Sequence, residues 1–190
     1  MEVHKLLETL HIAERLKDEL RHCDTSKGRR ESVAEHSWRI ALMALFMQDE
    51  FSELDINKVI RMCLIHDLGE CFTGDIPTFL KTAADVQKED RVLADWVVSL
   101  PAPYCQELAA LYQEMNAQQT EEAKLYKSLD KLEAVIQHNE ADISTWEPHE
   151  YDLNLTYAND IVAFSPYLRS LREAIRNDTK QKIADAQKTE

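Results

Sequence analysis

Glycine and proline are scarce, three and five in 190 residues. Chains built on sheets and tight turns use more of both, so the composition points to helices joined by few turns. No apolar run approaches the about 18 residues that a membrane-spanning helix needs. The opening Met1-Glu2-Val3-His4-Lys5 has no apolar core of the signal-peptide kind, so no secretory leader is expected. The four cysteines, Cys23, Cys63, Cys71 and Cys105, share no paired spacing and no C-x-x-C. Reduced thiols in a cytoplasmic protein are expected rather than a disulfide framework or a thiolate zinc site. Positive charge is also short: 22 Lys and Arg stand against 35 Asp and Glu, a formal net charge of −13. That balance argues against a nucleic acid polymer or a membrane surface as partner. A small anionic substrate is compatible with it where a metal or an Arg/Lys cluster supplies local positive charge.

What is present is helical periodicity. The length suits one domain with a sizeable core. Val3, Leu6, Leu7, Leu10, Ala13, Leu16 and Leu20 form a stripe that predicts a first helix to about Arg21. The polar stretch from His22 to Arg30 reads as a loop. Ser32-Val33-Ala34-Glu35 matches the S/T-x-x-E capping box and opens a second helix whose buried face carries Val33, His36, Ile40, Ala44 and Met47. Asp55 caps a third, with Ile56, Val59, Ile60, Cys63 and Leu64 on its apolar side, ended by Gly74 and Pro77. Further helices are expected from Thr82 to Leu100, from Leu108 to Met115, and from Thr120 along Leu125, Leu129, Leu132, Val135 and Ile136. Trp146 to Tyr157 reads as irregular; it could line a base-binding wall or a dimer contact, though helix packing is the simpler expectation. Ser165-Pro166 starts a last helix carrying Leu168, Leu171 and Ile175. Residues 1–177 are expected to form one domain, and 178–190 a polar tail that frays. The fold class is all-α, a helical bundle.

The chemistry gathers around Ile65-His66-Asp67-Leu68-Gly69-Glu70-Cys71-Phe72-Thr73-Gly74-Asp75-Ile76-Pro77. A carboxylate on an apolar face is costly unless paired or metal-bound. Arg39 or Arg61 could be a partner for Asp67, and His66 could be a hydrogen-bonded core histidine. Adjacent helical side chains diverge by about 100°, so His66 and Asp67 meet at one ion only near the backbone or the helix end, where Gly69 would help. His36 and Asp130 are similar oddities on other helices. Two histidines and two aspartates from three helices could converge on one divalent cation, of the kind of Mn, Co, Fe, Ni or Zn. Such an ion lowers the pKa of a water and polarises a phosphoryl oxygen. Glu70 lies three and four residues beyond Asp67 and His66 and could move a proton. Asp75 sits in a turn, as a local hydrogen-bonding residue or as a hydroxyl-recognising or acid/base group.

The order His36 … His66-Asp67 … Asp130 resembles the H…HD…D signature of the HD-domain metal-dependent phosphohydrolase superfamily. The longer string through Glu70 and Thr73-Gly74-Asp75-Ile76-Pro77, with Ser32-Val33-Ala34-Glu35-His36-Ser37, resembles its 5′-deoxynucleotidase / HD-domain-containing protein 2-like branch. The resemblance implies an all-α bundle around a mononuclear metal, often a homodimer. It implies His36, His66, Asp67 and Asp130 as metal ligands, Glu70 as the catalytic glutamate, and Asp75 near the substrate sugar and the attacking water. An Arg-Trp pair of that branch falls here on Arg21 and His22: the phosphate-suited arginine is kept, the sugar-pocket tryptophan is not. The Asp130-Lys131 pair recurs in the superfamily and implies a phosphate contact for Lys131. Lys27, Arg29 and Arg30 form a basic loop, either solvated or attracting phosphate.

These readings converge on a metal-dependent phosphohydrolase, with removal of the 5′-phosphate from (deoxy)nucleoside monophosphates foremost. Alternatives are another phosphoester, such as a guanosine polyphosphate or a cyclic or modified nucleotide, and a non-catalytic metal-stabilised binding module.

Overall fold

A computed structural model describes residues 1–188. Three long helices make the centre: α2 (Val33–Phe46), α3 (Ile56–Ile65) and α7 (Glu121–Glu140). Each starts on a side-chain cap. Ser32 and Glu35 close the reciprocal capping box, Asp55 accepts from the Lys58 N–H, and Thr120 accepts from the Ala123 N–H. Their facing stripes leave Ile40, Ala44, Val59, Met62, Cys63, Leu125, Leu129 and Leu132 with no exposed surface. Burial of this kind stabilises by about 25 cal/mol per Å² of apolar area removed from water. α5 (Ala83–Val98) and α6 (Tyr104–Ala117) cover one side, and α8 (Glu150–Thr156) and α9 (Pro166–Gln187) the other.

The all-α class holds, with several local corrections. α1 (Val3–Ala13) is shorter than expected, a 3-10 turn covers Glu14–Lys17, and the chain then extends. The expected loop is a two-stranded antiparallel hairpin, β1 (Leu20–Asp24) and β2 (Arg30–Ser32), turned at Gly28, whose φ of 77° suits glycine. α8 forms inside the stretch expected to be irregular. α9 runs on to Gln187 instead of fraying past Asn177, because Thr179 is fully buried and its hydroxyl donates to Asn139 Oδ1 at 2.9 Å.

α3 also ends earlier than its pattern suggests. Its last carbonyls are taken by side chains: His66 Nδ1 bonds the Cys63 oxygen at 2.9 Å, and the Tyr112 hydroxyl donates to the Ile65 oxygen at 2.6 Å. The chain turns through residues 66–69 on short-range bonds, such as Glu70 N–H to Asp67 O at 3.0 Å, and re-enters a single helical turn, α4 (Glu70–Thr73). Gly69 is needed here for a different reason from the one expected. A Cβ on it would lie 2.7 Å from Glu89 Cγ of α5, so it admits a neighbouring helix, not an ion.

Candidate metal centre

α2, the end of α3, and α7 bring His36, His66, Asp67 and Asp130 together. His36 Nε2 lies 3.2 Å from Asp130 Oδ1, His66 Nε2 lies 2.9 Å from Asp67 Oδ2, and His66 Nε2 lies 3.8 Å from Asp130 Oδ1. One donor atom from each of His36, His66 and Asp67 lies within 4.8 Å of the others.

The tautomers decide what this cluster can hold. A carbonyl only accepts, so His66 Nδ1 carries the proton it gives to Cys63 O, and Nε2 presents a lone pair. That Nε2 is buried with no hydrogen-bond partner. On His36, Nδ1 meets Glu133 Oε2 at 2.5 Å, which again turns the Nε2 lone pair inward. With neutral imidazoles, two lone pairs and two carboxylates face one another. Only a proton or a cation among them relieves that. Two imidazole nitrogens and two carboxylate oxygens suit a divalent transition metal, so the residues present fit the expected ion.

The titration directions describe the same field. Burial works against a charged His36, yet its bonds to Asp130 and Glu133 prevail and push it up to about 9. Burial also opposes ionised Asp67, but His66 and His36 hold it down to about 2. Asp130, against its burial, is held well below the usual carboxylate range by Lys127 and both histidines.

The alternative partners for Asp67 are engaged elsewhere. Arg39 forks onto Glu140 at 2.7 and 2.6 Å, and Arg61 pairs with Glu107 at 3.0 Å. The cation near Asp67 is Arg21, whose Nη1 lies 3.9 Å from Oδ2 while its Nε lies 3.1 Å from Glu31 Oε2. Strand β1 carries Arg21 to this place. Arg29 clamps Glu35 and Arg30 pairs with Asp24, so these two members of the basic loop are held by local acids.

Glu70 is 5% exposed and opens α4. Burial, then Asp67, Asp75 and Glu89, push its carboxyl up to about 10, so it holds a proton at neutral pH. Its Oε2 is buried without a hydrogen-bond partner. Asp75 follows Gly74, and its N–H donates to Glu19 Oε1 at 3.1 Å. Burial raises Asp75 despite the opposing charge of Arg21.

Beside the cluster a cleft of about 270 Å³ is lined by Arg21, His22, Asp75, Thr78, Phe79 and Tyr157, among others. Lys131 reaches this cleft's Tyr157, its Nζ 5.3 Å from the ring centroid, and is not among the ions around Asp130. The ammonium beside Asp130 is that of Lys127, 2.7 Å from Oδ2. Sequence reasoning missed Lys127 and Glu133. Both stand three residues from Asp130 on one helix face, which was a readable signal.

Comparison with known proteins gives the family. The sequence profile of the HD domain matches residues 13–168. A crystal structure described as a predicted metal-dependent phosphohydrolase from Magnetospirillum magnetotacticum MS-1 superposes with a TM-score of 0.78 and 30% identity, over 95% of this chain and 93% of that one. The protein named 5'-deoxynucleotidase HDDC2 of Mus musculus is 34% identical over 112 residues, 58% of this chain and 55% of its own. Its Homo sapiens counterpart is 32% identical over 114 residues, 59% and 55%. The chain thus spans about half the length of the curated relatives it matches. With a family profile covering most of its length, the chain belongs to the HD domain family.

Proposed function

We propose that this protein is a metal-dependent phosphohydrolase that removes the 5′-phosphate from deoxynucleoside monophosphates. The observation that carries this reading is the buried Nε2 of His66, without a hydrogen bond though 2.9 Å from Asp67 Oδ2, set among His36, Asp67 and Asp130 beside a cleft. The similar proteins named above as phosphohydrolase and 5′-deoxynucleotidase support the reaction and the substrate class.

His36, His66, Asp67 and Asp130 would hold the metal, with Mn, Co, Fe, Ni and Zn as candidates. When bound, it supplies Lewis acidity toward a phosphoryl oxygen and toward water. The chain's own residues do the rest. Arg21, half-buried beside Asp67 and lining the cleft, binds and orients the phosphate. Glu70, whose carboxyl is pushed up by burial and by Asp67, Asp75 and Glu89, gives a proton to the leaving 5′ oxygen. Asp75, on the cleft wall, orients the sugar. Lys127 and Glu133 position Asp130 and His36.

We further infer a homodimer. α1 has no buried residue, and Leu7, Leu10, Trp38 and Leu64 line a shared groove while 56, 55, 59 and 50% exposed. A patch of that kind on a folded surface calls for a cover, and a second copy supplies the same groove in return. A cytoplasmic location fits four cysteines that form no disulfide.

Phosphate release from the five common deoxynucleoside monophosphates, with Mn²⁺, Co²⁺, Mg²⁺ and Zn²⁺ each returned to stripped protein, tests the reaction. Release restored by at least one transition metal is expected. No release from any of them by metal-loaded protein would refute it.

A further inference from the structure

The cleft's far wall holds polar groups that the chemistry above does not use. Asp130 and His138 are both on α7, two turns apart, or ~12 Å along its axis. His138 therefore marks the end of the cleft away from the metal cluster. There it faces Glu150, the first residue of α8. Glu150 is 2% exposed, and its Oε1 lies 3.2 Å from His22 Nε2 and 3.5 Å from His138 Nε2. Its Oε2 accepts from the Glu147 N–H at 2.7 Å. Asn154 follows one helical turn later, 3% exposed, with its Nδ2 buried and without a hydrogen-bond partner. Both residues line the cleft. The wall is braced from behind: buried Arg172 of α9 donates to the Asn154 and Tyr157 carbonyls at 2.8 and 2.7 Å. In front stands Phe79, 44% exposed, with the rings of His22 and His149 at 5.2 and 4.6 Å.

A buried amide with an unused N–H is expensive to keep unless something comes to meet it, and Glu150, held in place by His22, His138 and the Glu147 N–H, fixes an acceptor beside it. Together they offer a strong acceptor beside a donor. A flat aromatic ring at the entrance offers a stacking face. Burial, with the nearby His22 and Arg21 against Glu150, lowers the His138 pKa.

We propose that this wall is a base-reading subsite for amino-bearing nucleobases. Glu150 accepts from the exocyclic amino group, Asn154 donates to the adjacent ring nitrogen or carbonyl, and Phe79 covers the base. Thymine and uracil have no exocyclic amino group; their one donor on that edge, the ring N3–H, is flanked by two carbonyl oxygens that repel the carboxylate, so they are disfavoured. The subsite rests on the nucleotidase reading for its role in turnover, but it makes its own prediction for binding.

The test has two arms. In the first, kcat/KM is measured for dGMP, dAMP, dCMP, dTMP and dUMP, and for 2-deoxyribose 5-phosphate, which has no base. The amino-bearing substrates should lead by about tenfold, the size of one good base-edge contact. Glu150→Gln puts a donor where the acceptor was and should bring the five together. Phe79→Ala, at an exposed position that does not threaten the fold, should raise KM for all five nucleotides relative to deoxyribose phosphate. Equal wild-type values across the bases, or a ratio untouched by Glu150→Gln, overturn the subsite. In the second arm, calorimetry compares deoxyguanosine with thymidine, neither of which carries a phosphate. Tighter deoxyguanosine binding with no phosphate release from any nucleotide keeps the subsite and refutes the nucleotidase reading. Equal binding overturns the subsite itself.

Discussion

Glu70 and Glu133 are both buried glutamates, and their surroundings drive them in opposite directions. Glu133 has His36 against one oxygen and Arg39 at 3.6 Å from the other, so it stays ionised despite its burial. Its charge fixes which nitrogen of His36 faces the metal cluster. Glu133→Gln should weaken metal binding by about 10- to 100-fold, read by competitive titration with a chelating dye, whereas an unchanged affinity would mean that the His36 tautomer is set by something else. Glu70 has acids for neighbours and is pushed up to about 10. Its folded pKa lies above its unfolded one, so the folded state binds the extra proton and stability falls as pH rises between the ordinary value of 4.5 and 10. Glu70→Gln removes that cost. Metal-free Glu70→Gln protein should therefore melt higher than wild type at pH 8, with the gap closing toward pH 5. In the metal-loaded enzyme the same substitution should keep the metal and lower kcat by about 10²- to 10⁴-fold. A variant that melts at the wild-type temperature at both pH values would show that Glu70 is not held neutral.

At the scale of elements, the decisive feature is the break between α3 and α4. A continuous helix would carry His66 and Asp67 apart. Stopping it at Ile65 lets both side chains turn to one point. α5 packs over this break through Glu89, which is also paired with Lys81 at 2.6 Å. Gly69→Ala should destabilise the protein by about 1–3 kcal/mol through the clash with Glu89 Cγ. Adding Glu89→Ala should recover most of it in chemical denaturation, and no recovery in the double variant would place the clash elsewhere. His36 and Asp130 were legible in the sequence because a histidine in an apolar stripe and an acid beside one are conspicuous at helical spacing. The break itself was not, because it depends on Tyr112, forty-seven residues away in the chain, capping the Ile65 carbonyl. The hairpin was hidden for a related reason. Strands of five and three residues rich in Arg, His and Asp carry no period-two signal, and they hold their place by packing, β1 on α7 and β2 on α2. The late end of α9 was hidden because Thr179 and Asn139 bury a polar pair where pattern reading looks for apolar residues.

For the whole molecule, the division of labour is between a buried helical centre that fixes the ligands and an outer α1 layer with no fully buried residue. If that layer is a contact between copies, Leu10→Glu should shift the mass in light scattering from dimer to monomer while leaving the melting of the helical centre close to wild type. A wild-type protein that is monomeric at 50 μM, within the ~μM range of weak standard-size interfaces, would contradict it. The central claim lies deeper, in the convergence of four donors from three helices on one ion. The most direct measurement is metal stoichiometry on stripped and reloaded protein, wild type beside Asp67→Ala, with circular dichroism confirming the fold of each. One equivalent in the wild type and a loss of most of it in Asp67→Ala is the predicted result; full stoichiometric metal retained by folded Asp67→Ala would contradict the account.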